Sequence, residues 1–247
     1  MGRWAPSQSR EWHWTWLTRT VPIRRSLTST EPGSSSSSST NPTSSWAATK
    51  AASNPTAVPP SFTVYSTDDV GGRHYMIGET RSRPPLYAVS LHAGWKGPDV
   101  ELHSGPSESE PPPLATAKRG SLFGDGATVQ LPGPDGGGGM VKEKVDASND
   151  FPYPSYGFAI EVEQGQQREE FRWVHIGMRK GWQLARLSTS EVVAVFDWTT
   201  LTKKELYFQF VGHGGTGILG ERWAIMAVIT AIRAWDRVKR KQASGAV

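Results

Sequence analysis

Lys204-Glu-Leu-Tyr-Phe-Gln-Phe-Val211 alternates apolar and polar residues as a strand does. A glycine turn follows at His213–Gly217, and then a helix at Glu221–Lys241. Inside that helix Trp223-Ala-Ile-Met-Ala-Val-Ile-Thr-Ala-Ile232 carries no charge and is apolar on every face. A helix of that kind has to be enclosed by other elements. Its apolar stretch is about 15 Å long at ~1.5 Å per residue, half of what a bilayer requires, so no transmembrane segment is expected. What precedes it is mainly short strands, so the sequence predicts a sheet built around its own C-terminal helix.

Working backwards, residues 62–211 break into short alternating runs with turn residues between them, the pattern of an all-β barrel or sandwich. About a dozen candidates stand out: Phe62–Ser66, Arg73–Thr80, Leu86–His92, Asp99–His103, Leu114–Lys118, Gly120–Phe123, Thr128–Leu131, Gly157–Glu163, Glu169–Ile176, Trp182–Leu187, Glu191–Trp198 and Lys204–Val211. Two stretches interrupt them and are expected to be flexible loops. One is 104–113, rich in Ser, Glu and Pro. The other is 132–150, which holds the run Gly136–Gly139 and is expected to be an insertion dividing the sheet into halves. The helix has Glu221 in its first turn and ends in Arg233, Arg237, Lys239, Arg240 and Lys241, an arrangement that suits its dipole. The basic end is expected to emerge into solvent. Residues 61–241 thus make one domain, with 242–247 a disordered end.

Residues 1–60 read differently. A six-serine run (Ser34–Ser39) with Asn, Pro, Thr and Ala around it cannot bury enough apolar area to offset its ordering entropy. Residues 1–30 set Trp4, Trp12, Trp14 and Trp16 among Arg, Ser and Thr with one acid, Glu11. A disordered tail is expected. An Arg-rich, Ser-rich, acid-poor start is also what a mitochondrial transit peptide shows.

Charge narrows the partners. The chain of 247 residues has a formal net charge of +4. Residues 1–60 hold six Lys/Arg and two Glu, also +4. The remainder holds 21 of each sign. A nucleic-acid footprint would sit on the folded part, so none is expected. The chain has no cysteine, which removes disulfides, thiolate nucleophiles and thiolate metal sites and is compatible with a cytoplasmic location.

Motif by motif, catalytic chemistry finds little support. Gly212-His-Gly-Gly-Thr-Gly217 is a literal G-x-G-x-x-G between a strand and a helix, but a dinucleotide unit needs a further parallel strand with an acid at its end. The helix uses the chain up to Lys241, so the glycines read as a turn. The six histidines, His13, His74, His92, His103, His175 and His213, show no i, i+4 pair and no His-x-Glu, so no metal site is expected. Alternation puts Glu161 and Glu163 on an outer face. No cofactor follows from any of these. The basic pairs Arg179-Lys180 and Lys203-Lys204 fall in turns between late strands. With Arg172 and the basic helix end they are the candidates for an anionic-headgroup patch.

The stretches Pro85-Leu-Tyr-Ala-Val-Ser-Leu-His92, Val100-Glu-Leu-His103, Leu114-Ala-Thr-Ala117, Phe171-Arg-Trp173, Glu191-Val-Val-Ala-Val-Phe196 and Glu221-Arg-Trp-Ala-Ile-Met-Ala-Val-Ile-Thr230, spread over residues 62–241, resemble the tubby C-terminal-like superfamily. That superfamily also holds phospholipid scramblases and LURP-one-related proteins, and the likeness is closest to uncharacterised fungal members. The resemblance implies a closed twelve-stranded barrel threaded by a hydrophobic C-terminal helix. It points to binding of anionic phospholipid at a membrane surface, and it implies no enzyme. Two departures stand out. The basic residues with which tubby holds phosphoinositides have no aligned counterpart, and the palmitoylated cysteine run of scramblases is absent. A protein-interaction scaffold and a small-ligand barrel of lipocalin type are the alternatives, the second needing an open interior. An enzyme using Gly212–Gly217 on a nucleotide is the third.

Overall fold

The computed structural model describes residues 58–67, 73–93, 97–109, 112–120, 124–134, 138–148, 154–162, 167–176, 181–198 and 205–244. The expected disordered tail, 1–60, lies outside these residues apart from its last three positions.

Twelve antiparallel strands close into a barrel. They are β1 (Ser61–Ser66), β2 (His74–Gly78), β3 (Tyr87–Leu91), β4 (Val100–Leu102), β5 (Ala115–Arg119), β6 (Ala127–Pro132), β7 (Met140–Ser148), β8 (Ser155–Glu161), β9 (Arg168–Ile176), β10 (Gly181–Arg186), β11 (Glu191–Asp197) and β12 (Glu205–Phe210). Each strand pairs with the next, and β12 returns to pair with β1, with Phe62 opposite Phe208. Closure leaves no unpaired edge. The inward residues follow the period-2 alternation from strand to strand. Phe208 lies opposite Phe196, Phe196 opposite Trp182, Phe158 opposite Phe171, and Val89 opposite both Tyr75 and Leu102.

The barrel interior is filled by α2 (Glu221–Ala243). From Trp223 to Asp236 every α2 residue but the half-buried Ala224 is buried. Its contacts come from all sides: Trp223 packs on Phe171 and Phe210, Trp235 on Tyr75, and the Trp173 indole N–H donates to Thr230 Oγ1 at 3.0 Å. Thr230 passes its own proton to Met226 O at 2.7 Å, so the one hydroxyl of the apolar stretch is satisfied. Burying Trp223, Ile225, Met226, Val228, Ile229, Ile232, Trp235 and Val238 is worth about 1.5–3 kcal/mol each. The sum, about 12–24 kcal/mol, is as large as the ~5–15 kcal/mol by which domains are stable, so the barrel depends on its helix.

The G-x-G-x-x-G segment is an entry corner. Gly212–Gly215 forms the single helical turn α1 where the sequence reading has a turn. Gly212 has φ +52°, and a Cβ on Gly214 would collide with the Val193 carbonyl and the Trp223 ring. Glycine is required there by the close approach of α1 to β11 and α2.

Three expectations need correction. Residues 140–148 are not loop but β7, paired with β6 and β8, so no insertion divides the sheet. Gly120 belongs to no strand, and the other three residues of the candidate Gly120–Phe123 lie outside the described set. The basic end of α2 does not emerge freely: Arg233 is 2% exposed and Arg237 is half-buried.

Candidate functional site

Lysine and arginine in the last turns of a helix are ordinarily solvated. In α2 they meet the barrel rim where β4 begins, β5 ends and β6 begins. The Arg233 guanidinium donates to Asp125 O at 2.8 Å and Gly126 O at 3.1 Å, and its Nε faces Asp99 Oδ2 at 3.8 Å. One turn on, Arg237 pairs with Asp125 Oδ1, and Lys241 Nζ lies 2.9 Å from Asp125 Oδ2. A single carboxylate therefore serves two cations. Arg240 Nε reaches Asp236 Oδ2 at 2.7 Å and its terminal nitrogen donates to His92 O at 3.1 Å. Lys239 Nζ donates to the Tyr75 hydroxyl at 2.7 Å and lies 4.2 Å from the centre of the Trp235 ring, a cation–π contact.

These charges act on one another. Burial, and then Arg119, pulls the Arg237 guanidinium below its ordinary pKa. Burial, and then Arg237, does the same to the Lys241 ammonium. Arg233 is lowered by burial, with Asp99 as the chief counterweight. Burial raises the Asp236 carboxyl, with Arg240 opposing it. Burial also pushes the Tyr156 phenol up to about 12. Among the described residues the linked group comprises Arg119, Arg233, Arg237, Lys239, Arg240 and Lys241 with Asp99, Asp125 and Asp236.

The other end of α2 is balanced. Arg222, in its first turn, donates to Pro132 O at 2.9 Å and pairs with Glu143 and Glu161. Arg168 pairs with the same two glutamates, holding Glu161 Oε1 at 2.6 Å, and donates to Ala159 O at 2.8 Å. Glu143 points inward from β7 with a side chain 3% exposed. Two guanidiniums and two carboxylates close a ring between the helix and β7, β8 and β9, with no charge left over.

The four residues expected to bind headgroups, Arg179, Lys180, Lys203 and Lys204, lie outside the described residues. The strand ends that they link are described. β9 ends at Ile176 and β10 begins at Gly181; β11 ends at Asp197 and β12 begins at Glu205. Strand direction puts all four ends on the same rim of the barrel as the start of β4 and the end of β5. Arg172 does not join that rim: it is exposed on the outer face of β9, opposite Ala185 and Gly157. Sequence reading missed Asp99, Asp125 and Arg119 altogether. No local signal marks them, because each gains meaning from a helix more than a hundred residues away.

The described histidines serve the wall. His74 pairs with Glu108, His92 with Glu101 at 3.4 Å, His103 Nε2 with Ser90 Oγ at 3.0 Å, and His213 with Glu191, while His175 stands edge-on to Trp182. Among the described residues no group of His, Asp and Glu could hold a metal ion, and no helix is long and apolar enough to cross a membrane. Compared with known proteins, the chain matches no family model, no curated protein and no solved structure.

Proposed function

We propose that this chain is a non-enzymatic, tubby-like barrel protein that binds anionic phospholipid headgroups at the membrane-peripheral rim where α2 leaves the barrel, with Arg179, Lys180, Lys203 and Lys204 as the contacts. The observation that supports the reading most is positional. Both connections that carry these residues start and finish at the end of the barrel where α2 leaves it. The closed barrel threaded by an apolar helix also agrees with what the tubby resemblance implies. The small-ligand alternative has less support, since α2 takes the interior that a ligand would need.

Near an acidic membrane each basic residue contributes roughly 1 kcal/mol, so four amount to about a thousandfold in partitioning. The test is flotation of the full chain with neutral and with phosphoinositide-containing vesicles at low and moderate salt. Selective binding that weakens with salt is expected. Changing Arg179, Lys180, Lys203 and Lys204 together to Glu is expected to abolish it. Unchanged binding by that variant would remove the proposed contacts. No binding to any vesicle would overturn the lipid reading and leave the protein-interaction scaffold as the working alternative.

A further inference from the structure

We infer that Arg233, Asp99 and Tyr156 frame a buried site for a hydroxyl oxygen, inside the end of the barrel where α2 leaves, filled by water or by the alcohol group of a small ligand. Each residue belongs to a different part of the fold. Arg233 is on α2, Asp99 directly precedes β4, and Tyr156 is the second residue of β8. β4, β6 and β8 run in the same direction, so Asp99 and Tyr156 flank the Asp125–Gly126 segment that leads into β6 and holds Arg233. Arg233 is 2% exposed, Tyr156 1% and Asp99 7%, too deep for bulk solvent to serve them.

All three keep hydrogen-bonding capacity that the protein does not use. The terminal nitrogens of Arg233 donate to Asp125 O and Gly126 O, but its Nε–H has no acceptor. Asp99 Oδ2 has no donor, and the Tyr156 hydroxyl has no partner. Nε and Oδ2 stand 3.8 Å apart, too far for a hydrogen bond yet near enough for one oxygen between them to reach both. Burial raises the Tyr156 phenol and the Arg233 charge opposes that rise, so the hydroxyl lies within electrostatic reach of the guanidinium. Buried polar groups left unpaired are costly and uncommon in native proteins. The residue types select the guest. Nε–H can only donate, a carboxylate oxygen can only accept, and a phenol does either. A hydroxyl meets all three, whereas a carbonyl oxygen accepts from Nε but cannot donate to Asp99. Arg222, at the other end of α2, shows the contrast: its Nε and both terminal nitrogens bond directly to protein oxygens. The site uses none of Arg179, Lys180, Lys203 and Lys204, so it stands or falls apart from the membrane contacts proposed above.

The experiment is magnetic relaxation dispersion of solvent water on the full chain, which detects water held inside a protein, with thermal unfolding alongside. A long-lived internal water is expected. Tyr156→Phe removes the hydroxyl and keeps the ring. It is expected to lower the Tm by about 2–4 °C and to reduce the dispersion amplitude. A hydroxyl without a guest would make the same variant neutral or stabilising, so an unchanged or raised Tm would overturn the site. Asp99→Asn keeps an acceptor oxygen and is expected to retain the signal, while Asp99→Leu is expected to lose it. Equal signals from Asp99→Leu and wild type would also overturn the site. Titration with isopropanol, and with acetone of nearly the same size, identifies the source of the hydroxyl. Displacement of the water by isopropanol alone points to an alcohol ligand, and retention against both points to solvent as the occupant. Equal displacement by the two would overturn the hydroxyl assignment, because acetone has no proton to give Asp99.

Discussion

The two ends of α2 are built from the same chemistry and reach opposite results. At the entry end Arg222 and Arg168 meet Glu143 and Glu161, two against two, around a carboxylate only 3% exposed. At the exit end Asp125 is divided between Arg237 and Lys241, while Arg240 pairs with Asp236 and Lys239 donates to the Tyr75 hydroxyl. The first is a closed ring whose members satisfy one another, so it has nothing to offer a partner. The second is an open arrangement in which one carboxylate serves two cations. Ion pairs at a helix end are therefore not alike: a closed ring and a shared carboxylate respond differently to the loss of one member.

Both ends presuppose the enclosed apolar middle, so the largest expected effect lies there. Ile229→Asp would bury an unpaired carboxylate at a fully buried position, costing several kcal/mol, comparable with the stability of a whole domain. Loss of cooperative thermal unfolding is the expected result. A cooperative melt near the wild-type Tm would mean that α2 is not enclosed, and the comparison of its ends would lose its basis.

Next in size is Glu143→Ala, which takes the one fully buried carboxylate from between Arg222 and Arg168 and leaves Glu161 to serve both. A cost of about 3–5 kcal/mol is expected by denaturant unfolding. Lys241→Gln at the exit end should cost no more than ~0.5 kcal/mol, because its ammonium is 42% exposed and shares its partner. Similar costs for the two substitutions would erase the distinction between the ends.

The smallest effect separates them by pH. Burial favours a protonated Glu161, yet its backbone hydrogen bond, Arg168 and Arg222 together hold its carboxyl below the ordinary glutamate value. Its contribution is therefore complete above that value and is lost as pH falls through the folded one. Asp236 is raised, so its sign is opposite: stability associated with its protonated form is lost as pH rises through its folded pKa. Glu161→Gln should flatten the acid limb of a stability–pH curve, and Asp236→Asn should steepen it. Identical acid limbs for both variants and wild type would count against both assignments.

Most of the wall was legible in the residues, and what escaped has physical reasons. Eleven of the strands coincide with short runs that the sequence marks between turn residues, several of them by clean alternation, as in Phe158, Ile160 and Val162 against Glu161. β7 does not. Lys142, Lys144 and Asp146 face outward, and the inward row includes Glu143 where a hydrophobe would be expected, so Met140–Ser148 reads as a charged loop beside a glycine run. That glutamate is tolerated because Arg222 comes down from a helix 79 residues later, a partner no local pattern can show. The exit-rim cluster escaped for the converse reason. Basic residues near a helix end read as solvated, and the acids that bring them inward, Asp99 and Asp125, belong to short turns with no signature of their own. The apolar stretch Trp223–Ile232, by contrast, contained its own instruction to be enclosed.

Closure of β1 on β12 has a consequence for how the chain acquires its structure. Phe62 and Phe208 cannot meet until nearly all the intervening strands exist, and α2 follows every one of them. A growing chain thus exposes twelve strands' worth of inward aromatic and branched side chains before the segment that covers them has been made. Pairings this distant in sequence are slow to form, and unpaired strand edges invite association between chains. α2 is the segment that ends this exposure, so premature termination anywhere before Glu221 would yield an aggregation-prone sheet rather than a smaller stable domain.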